Sequence, residues 1–436
     1  MKLRIGIIFG GNSREREISF AGGRTVYDNL NKNLFEAVPV FTDSLGNFIL
    51  LDWQFVYKGT IRDFYPPIDF LPPSPHSFQV YIESLGKLSD TDMHQLISKV
   101  GRKIEPSEFK HLFDFAFLTL HGPYGEDGNI QGLLEWYGVP YSGAGILPSA
   151  VGIDKKVQQS IFGNAGILHP KGVLISRSAW KSNTYKGDIF EDIIGKLGMP
   201  FVIKPPRQGS SIGVAVMNEK DNMVFAEAVN KAFFIQEISS GKWHSFSEHQ
   251  KIQFIHDLTD IRSGMGLPVW VNNQILLYHP EELVDFLEKV QGAETMTILE
   301  SVDGESEILF ETFIEGKEFS CIVIEDENHQ PIALPPTEVR KKQSVFDYRS
   351  KYLPGMSRKI TPIEVPDIQI EQIRKACCQL YEAMYGDVYA RIDGFITSSG
   401  EIYLNDPNTT SGMMPSGFFF HQAAEIGLNP SQFITY

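Results

Sequence analysis

The sequence predicts an α/β protein of about three domains that opens on a parallel sheet. Residues 3–9, LRIGIIF, and 113–120, FDFAFLTL, are near-continuous apolar runs of strand length, as expected of parallel strands buried on both faces. Each runs into a glycine-rich turn, GGNS at 10–13 and HGPYGEDG at 121–128. In open α/β sheets ligands gather where strand ends meet such turns. The 436 residues exceed one ordinary domain and divide into roughly three by typical domain size.

The first strand leads into a helix that carries Arg14, Glu15, Arg16 and Glu17. Ser13 is placed to cap it, and Glu15 and Glu17 fall in its positively poised first turn, so a purely structural account exists for them. The paired glycines lack the spacing of a dinucleotide fingerprint. Up to about residue 113 the chain holds apolar runs among Pro-rich pieces such as LPPSP at 71–75, which read as loop or extended segments. A histidine at a strand end is more often structural, but His121 arrives with Glu126 and Asp127 in a glycine-rich loop, which favours function. Residues 132–138 predict a helix, and the small-residue run at 139–145 predicts a first domain over residues 1–145.

After that boundary IDKK at 153–156 opens a helix, where Lys155 alone would pass for a solvated lysine. The stretch GMPFVIKPPRQGSSIGV at 198–214 is more specific. A strand delivers Lys204, and a Gly-Ser-Ser-Ile-Gly loop then offers successive backbone N–H groups and the hydroxyls of Ser210 and Ser211, the kind of nest that cradles phosphates. No lysine follows Gly213, so it is not a Walker loop. Helical patterning at 222–233 and a strand at 308–313, ILFETF, flank residues 235–307, whose amphipathic stretches 246–258 and 280–290 mark an inserted subdomain. The central domain is thus predicted over 146–314, with core strands that continue without the insert, and a last domain over 315–436. Residues 319–324 read as a strand, and VFDYRSKYLPGM at 345–356 as a charged aromatic loop of the kind that closes over active sites or packs as a surface loop.

Composition narrows the function classes. Hydrophobic residues at 42% and charged residues at 21% are ordinary for a folded chain. A net charge of -15 supplies no overall positive field for nucleic acid or an anionic membrane, so an anionic ligand must be held by local lysines and arginines. Cys321, Cys377 and Cys378 are too few and wrongly spaced for a disulfide framework or a zinc site, which fits a reducing compartment. With no signal-peptide layout and no run of the roughly 20 apolar residues that span a bilayer, the expected location is the cytoplasm.

Residues 388–417 concentrate charge in a predicted hairpin, RIDGFI at 391–396 and EIYLND at 401–406, joined by TSSG. If Ser398 and Ser399 form a two-residue loop, Arg391 pairs with Asp406, and period-two alternation puts Arg391, Asp393, Asp406 and Asn408 on one face. Two carboxylates and an amide oxygen suit Mg2+, which keeps waters and is usually shared with substrate phosphates. Asp393, Asp406 and Asn408 are therefore metal candidates, against the plainer alternative of a solvated hairpin edge with an Arg-Asp pair.

Taken together, GGNSREREIS, LHGPYGEDGNIQGLLE, YSGAG followed by IDK, FVIKPPRQGSSIGV, ETFIEGKEFS, DYRSKYL, ARIDGF and LNDPNTTSGM resemble, in order, the D-alanine:D-alanine ligases of the ATP-grasp superfamily. The resemblance spans nearly the whole chain apart from 235–307 and part of 43–110. It implies an open α/β sheet followed by two ATP-grasp domains that sandwich the nucleotide. It also implies a cytoplasmic enzyme of peptidoglycan precursor synthesis, a homodimer by family expectation, whose small-molecule substrates are D-alanine and ATP. In the family Mg-ATP phosphorylates the carboxylate of one D-alanine and the amine of a second attacks the acyl phosphate, with two Mg2+ ions, or Mn2+ in their place.

By the same resemblance Lys155 and Lys204 match lysines on ATP phosphates, and Ser210, Ser211 and Gly213 match the phosphate loop. Glu311 stands where the family contacts adenine and Glu318 where a carboxylate binds ribose. Arg391 and the backbone at Gly412 match the groups that stabilise the tetrahedral oxyanion. Glu15 matches the residue that orients the first substrate's ammonium, and Glu15, Ser210 and Tyr352 match a hydrogen-bonded triad. His121 and Glu126 match the substrate-proximal loop, and Lys351 a lysine that helps bind the second substrate's carboxylate. Asp406 stands where the family usually has Glu, Thr312 where it has lysine, and Gly417 where a serine binds that second carboxylate, with Ser416 one position off. The acceptor could therefore be D-alanine, D-lactate or D-serine, and the rival from another class is a non-catalytic ATP-binding homologue.

Overall fold

The computed structural model describes residues 2–183, 185–262, 264–341, 357–410 and 412–436. Its first sheet contains β1 (Leu3–Gly10), β2 (Phe35–Thr42), β3 (Phe48–Leu51), β4 (Gly101–Ile104) and β5 (Phe115–Leu118), in the order β4-β3-β2-β1-β5. β2 and β5 flank β1 in parallel, so the two apolar runs of the sequence lie side by side. β3 and β4 extend the sheet antiparallel. The cause is local, because the few residues between β2 and β3 form a hairpin turn in which Asp43 Oδ1 accepts from the backbone N–H of Leu45 and Asn47 at 3.0 and 2.9 Å.

The helix Arg16–Asn29 follows β1 with Glu15 as its N-cap, and no side chain caps it. Ser13, expected to do so, instead accepts the Glu15 N–H through Oγ at 3.2 Å. The turn therefore closes before the helix begins, and the Glu15 carboxylate is left for other partners.

β6 (Gly172–Ser176), β7 (Phe201–Lys204) and β8 (Ala215–Met217) belong to a second sheet, interrupted in sequence by a third. That third sheet, from β9 (Ile235–Ser239), β10 (Val269–Val271), β11 (Ile275–Leu277) and β12 (Met296–Ser301), is antiparallel in the order β11-β10-β12-β9. Helices Glu248–Thr259 and Pro280–Lys289 lie where amphipathic stretches predicted them. Trp243, Ile255, Val269, Leu283 and Leu299 form the centre of its core, but Phe78 from the first unit and Ile212 from the glycine-rich loop complete it. Arg14 also reaches in, donating to the Gly264 carbonyl at 3.0 Å and to Ser301 Oγ at 2.9 Å, with its guanidinium carbon 3.9 Å from the Phe234 ring centre. Cutting out 235–307 would uncover these side chains, so the insert does not come away as cleanly as strand continuity implies.

β13 (Glu307–Thr312) rejoins the second sheet, in the order β6-β13-β7-β8. Helices Lys186–Leu197 and Asn222–Ala232 cover it through the stacked rings of Phe190 and Phe225, 4.3 Å apart. Asp221 starts the second of these by accepting the N–H groups of Met223 and Val224. Burying each such ring contributes roughly 1.5–3 kcal/mol.

The last sheet holds β14 (Lys317–Glu325), β15 (Pro331–Ala333), β16 (Thr337–Lys341), β17 (Ser357–Ile360), β18 (Tyr389–Ile396) and β19 (Ile402–Asn408). Its order is β17-β16-β14-β18-β19, with β15 paired to β14. Helix Asp367–Ala383 packs on one face through Ile373, Cys377 and Leu380. Phe419 and Phe420, from helix Phe418–Glu425, join the core that reaches the first sheet. No helix among the described residues is long and apolar enough to cross a membrane.

Candidate active site

The β18–β19 hairpin differs from the predicted one in two places. Its turn is longer, with Thr397 N–H donating to the Glu401 carbonyl at 3.0 Å and Ile396 opposite Ile402. A bulge then falls between Asp393 and Gly394, so that Asn405 has no direct cross-strand partner. The register pairs Arg391 with Asn408 and Asp393 with Asp406, not Arg391 with Asp406. Each offset alone would flip the hairpin's faces, but together they shift the register by an even step. Arg391, Asp393, Asp406 and Asn408 still share one face.

Opposed carboxylates repel, and cations offset the repulsion here. Arg391 forks onto Asp393, Nε and Nη2 donating at 3.1 and 3.0 Å, and Ser320 Oγ adds a bond of 2.7 Å. Lys155 Nζ lies 3.3 Å from Asp406 Oδ1. Asn408 Nδ2 donates to the Asp406 carbonyl at 2.8 Å, which leaves its Oδ1 as the donor atom to offer a cation. The bulge turns Asn405 toward the second sheet, where its Oδ1 accepts from Lys204 Nζ at 3.1 Å.

Lys155 begins the helix Lys155–Asn164, capped by Asp154, and its ammonium also donates to the Gln208 carbonyl at 3.1 Å. Burial disfavours its charge, but Asp406, Glu311 and Glu15 outweigh that and hold its pKa above the ordinary lysine value. Lys204, at the end of β7, pairs with Glu311 of β13 at 2.5 Å, and both are buried. Gln159 Nε2 takes the other Glu311 oxygen at 3.0 Å. Between the two lysines the glycine-rich loop holds Ser210 and Ser211 at φ 51° and 59°. Successive non-glycine residues in the left-handed region are uncommon and concentrate at ligand clamps.

Ser210 Oγ donates to Glu15 Oε1, which ties this loop to the first helix. A Cβ on Gly209 would sit 2.3 Å from Glu15 Oε2, so a side chain there would have to push that carboxylate aside. Beside them His121 is buried, its Nδ1 donating to the Thr119 carbonyl at 2.7 Å and its Nε2 without a hydrogen-bond partner among the described residues. Burial pushes its pKa down, against the pull of Glu15 and the Thr119 carbonyl. The free Nε2 lies 3.7 Å from where a Cβ on Gly412 would stand. Glu126 accepts the Gly122 N–H at 2.7 Å, and burial, then the nearby Glu15 charge, raise its pKa well above the carboxylate range.

Two cavities result. One is bounded by Glu15, His121, Glu126, Ser210, Lys359, Arg391 and Gly412, the other by Lys155, Lys204, Ser211, Glu311 and Asn405. Asp393, Asp406, Gly209 and Glu318 line both, so the paired carboxylates form the seam. The structure thus brings together most of the residues expected from the sequence. Gly213 instead packs beneath its loop, where a Cβ would meet Pro205 Cγ at 2.7 Å. Ser416 is exposed, and its carbonyl, not its hydroxyl, accepts from Lys359 Nζ. Lys351 and Tyr352 lie outside the described residues. Sequence reasoning missed Ser320, Asn405 and Lys359. Alternation along β14 from Glu318 would have pointed to Ser320, whereas Asn405 depends on the bulge and Lys359 on sheet packing.

The donor set at the seam fits a hard divalent cation: oxygen atoms only, with Asp393 and Asp406 directly opposite and both partly solvated. Among the described residues no three His, Cys, Asp or Glu side chains are grouped to hold an ion by themselves. A cation at Asp393, Asp406 and Asn408 would therefore share its shell with a bound phosphate or water.

Comparison with known proteins gives a consistent result. The family model for the D-ala D-ala ligase N-terminus matches residues 4–144 and that for the C-terminus matches 161–238 and 287–436. The interruption falls within the inserted sheet. The D-alanine--D-alanine ligase of Geobacillus thermodenitrificans is 26% identical over 421 residues, 96% of this chain and 90% of the relative. VanG D-Ala:D-Ser ligase from Enterococcus faecalis superposes with a TM-score of 0.64 at 23% identity, over 100% of this chain and 98% of that one. The D-alanine--D-alanine ligase from Bacillus anthracis complexed with ATP does so with a TM-score of 0.55 at 22% identity, over 100% and 95%. The structural likenesses establish the fold, the three-domain ATP-grasp class, and the matches to both halves establish descent: the chain belongs to the D-alanine–D-alanine ligase family.

Proposed function

We propose that this protein joins two D-alanine molecules into D-alanyl-D-alanine with ATP, for peptidoglycan precursor synthesis, and that its domains are residues 1–145, 146–314 and 315–436. The observation that carries the reading is the seam. The Asp393–Asp406 pair separates a cavity walled by lysines, suited to a triphosphate, from one that holds Glu15 and Arg391, suited to an amino acid.

In this reading Lys155 and Lys204 exchange Asp406 and Glu311 for nucleotide phosphates, and the glycine-rich loop closes over them with its uncommitted N–H groups and the Ser211 hydroxyl. Glu318 takes the ribose and Glu311 the adenine edge. Asp393, Asp406 and Asn408 would hold Mg2+, two ions by family expectation, and the metal would supply neutralisation of charge on the transferring phosphoryl group. Glu15, held by Ser210, orients the ammonium of the first D-alanine, whose carboxylate accepts the γ-phosphoryl group. The amine of the second D-alanine, after losing a proton, attacks that acyl phosphate and phosphate leaves. Arg391 and the Gly412 N–H stabilise the oxyanion formed in between. By the family resemblance Tyr352 is the third member of the triad with Glu15 and Ser210, Lys351 assists with the second substrate's carboxylate, and Ser416 is one position from that of the family serine that binds it. The partners are small molecules, and the assembly is a homodimer, which sedimentation velocity tests.

Phosphate release from Mg-ATP, measured with D-alanine alone and then with D-serine or D-lactate added, with products identified by mass, tests the reading. D-Alanyl-D-alanine from D-alanine alone is the expected result. Release only with another acceptor would move the function, and ATP binding without release under any condition would make the protein a non-catalytic homologue.

A further inference from the structure

The acceptor in such a reaction is an amino acid whose carboxylate must be held while its amine attacks, so the amino-acid cavity needs a cation that is not already committed. Lys155 is paired with Asp406, Lys204 with Glu311, and Arg391 is forked onto Asp393. Lys359 of β17 differs from all three. Its ammonium donates to the Ser416 carbonyl and sits 4.4 Å from the centre of the Phe418 ring, and no described carboxylate lies within ion-pair distance of it. Arg391 faces the same ring at 5.6 Å, so two cations converge on one aromatic wall of the cavity. Helix Phe418–Glu425 begins at Gly417, the position with no side chain to offer a hydroxyl.

We infer that Lys359 is the specificity-determining residue for the acceptor, pairing with its carboxylate beyond the Arg391 oxyanion site. The inference deepens the ligase reading and rests on it. Its electrostatics agree: burial, then the neighbouring Arg391 charge, lower the Lys359 pKa to about 8, with Asp393 only partly compensating. A cation held at such a cost without an acidic partner is relieved by an incoming anion. Since the amine of the acceptor must approach Arg391 and Gly412, a carboxylate one Cα away from that amine falls on the Lys359 side of the cavity.

The experiment compares D-alanine with D-alaninamide as acceptor, in the wild-type enzyme and in the Lys359→Met, Lys359→Arg and Lys351→Met variants. D-Alaninamide keeps the amine and removes the carboxylate charge. Lys359→Met is expected to raise the KM for the second D-alanine at least about tenfold, as loss of a charged hydrogen bond does. The KM for ATP and for the first D-alanine should hold, and the preference for D-alanine over the amide should shrink by a similar factor. Lys359→Arg should restore part of that preference. An unchanged preference in a folded, active Lys359→Met overturns the inference, as does its loss in Lys351→Met alone. Failure of the wild type to make any dipeptide overturns the ligase reading itself, and the two failures are told apart by wild-type turnover.

Discussion

Ser210 Oγ donates to Glu15 Oε1, joining two residues 195 positions apart and linking the phosphate-type loop to the first helix. The Glu15 carboxylate makes no capping bond to its own helix, and Gly209, with no side chain, leaves it room to meet Ser210. Removing the Ser210–Glu15 bond should uncouple the nucleotide from the first substrate. We expect Ser210→Ala to lower kcat/KM for the first D-alanine by about ten- to a hundredfold, the worth of one hydrogen bond to a charged group. Gly209→Ala should do at least as much by displacing Glu15. Steady-state kinetics checks both, and near-wild-type values in Gly209→Ala would show that Glu15 is not held where the amino acid binds.

Arg391→Ala should fold and bind nucleotide yet lose turnover by roughly 10² to 10³, the typical cost of one oxyanion donor. Calorimetry with a non-hydrolysable ATP analogue, beside measured kcat, separates the two effects. Unimpaired turnover would remove the oxyanion role and leave Arg391 as the charge partner of Asp393 alone.

Glu126 predicts a pH effect on the ligand-free protein. Its folded pKa is raised, by burial first and by Glu15 second. Between the ordinary glutamate value and the raised one the native state holds a proton that the unfolded chain has lost, so this contribution is full at low pH and fades as pH rises through the folded value. Glu126→Gln removes the titration while keeping an acceptor for the Gly122 N–H. Its melting temperature should fall less than the wild type's between about pH 5 and 9, and parallel curves would sink the idea.

The insert is braced by Arg14, one residue before Glu15, through Gly264 and Ser301. Arg14→Met keeps bulk but strips the Gly264 carbonyl and Ser301 Oγ of their shared donor, while Ser301 still donates to the Met265 carbonyl, and should destabilise this contact by roughly 1–3 kcal/mol. Burial already lowers the Arg14 pKa to about 10. Limited proteolysis should then cut the insert sooner than the last sheet, and equal protection of both in wild type and variant would show that Arg14 is no brace.

Period and punctuation along the chain were enough to place β1, β5, β13 and β14, the helices of the insert, and the charged face of the hairpin, because burial on one or both faces writes itself into spacing of two or near four residues. Two errors in the hairpin, a longer turn and the bulge at Asn405, left its face intact only because they sum to an even step. The same arithmetic could not show that Asn405 turns away from Asp406 to meet Lys204.

By itself, then, the sequence determined the most strongly patterned elements and which residue types stand at their ends, since those depend on local propensity and pattern, while short strands such as β3 and β4 carried too little pattern to read. Only the tertiary structure decided the contacts between segments distant in the chain: Glu15 with Ser210, Lys204 with Glu311 and Asn405, Arg14 with the insert, and Lys359 over Phe418. Such pairings are set by how whole sheets pack against one another, and a lysine on a strand carries the same local signal whether it faces water or a substrate cavity.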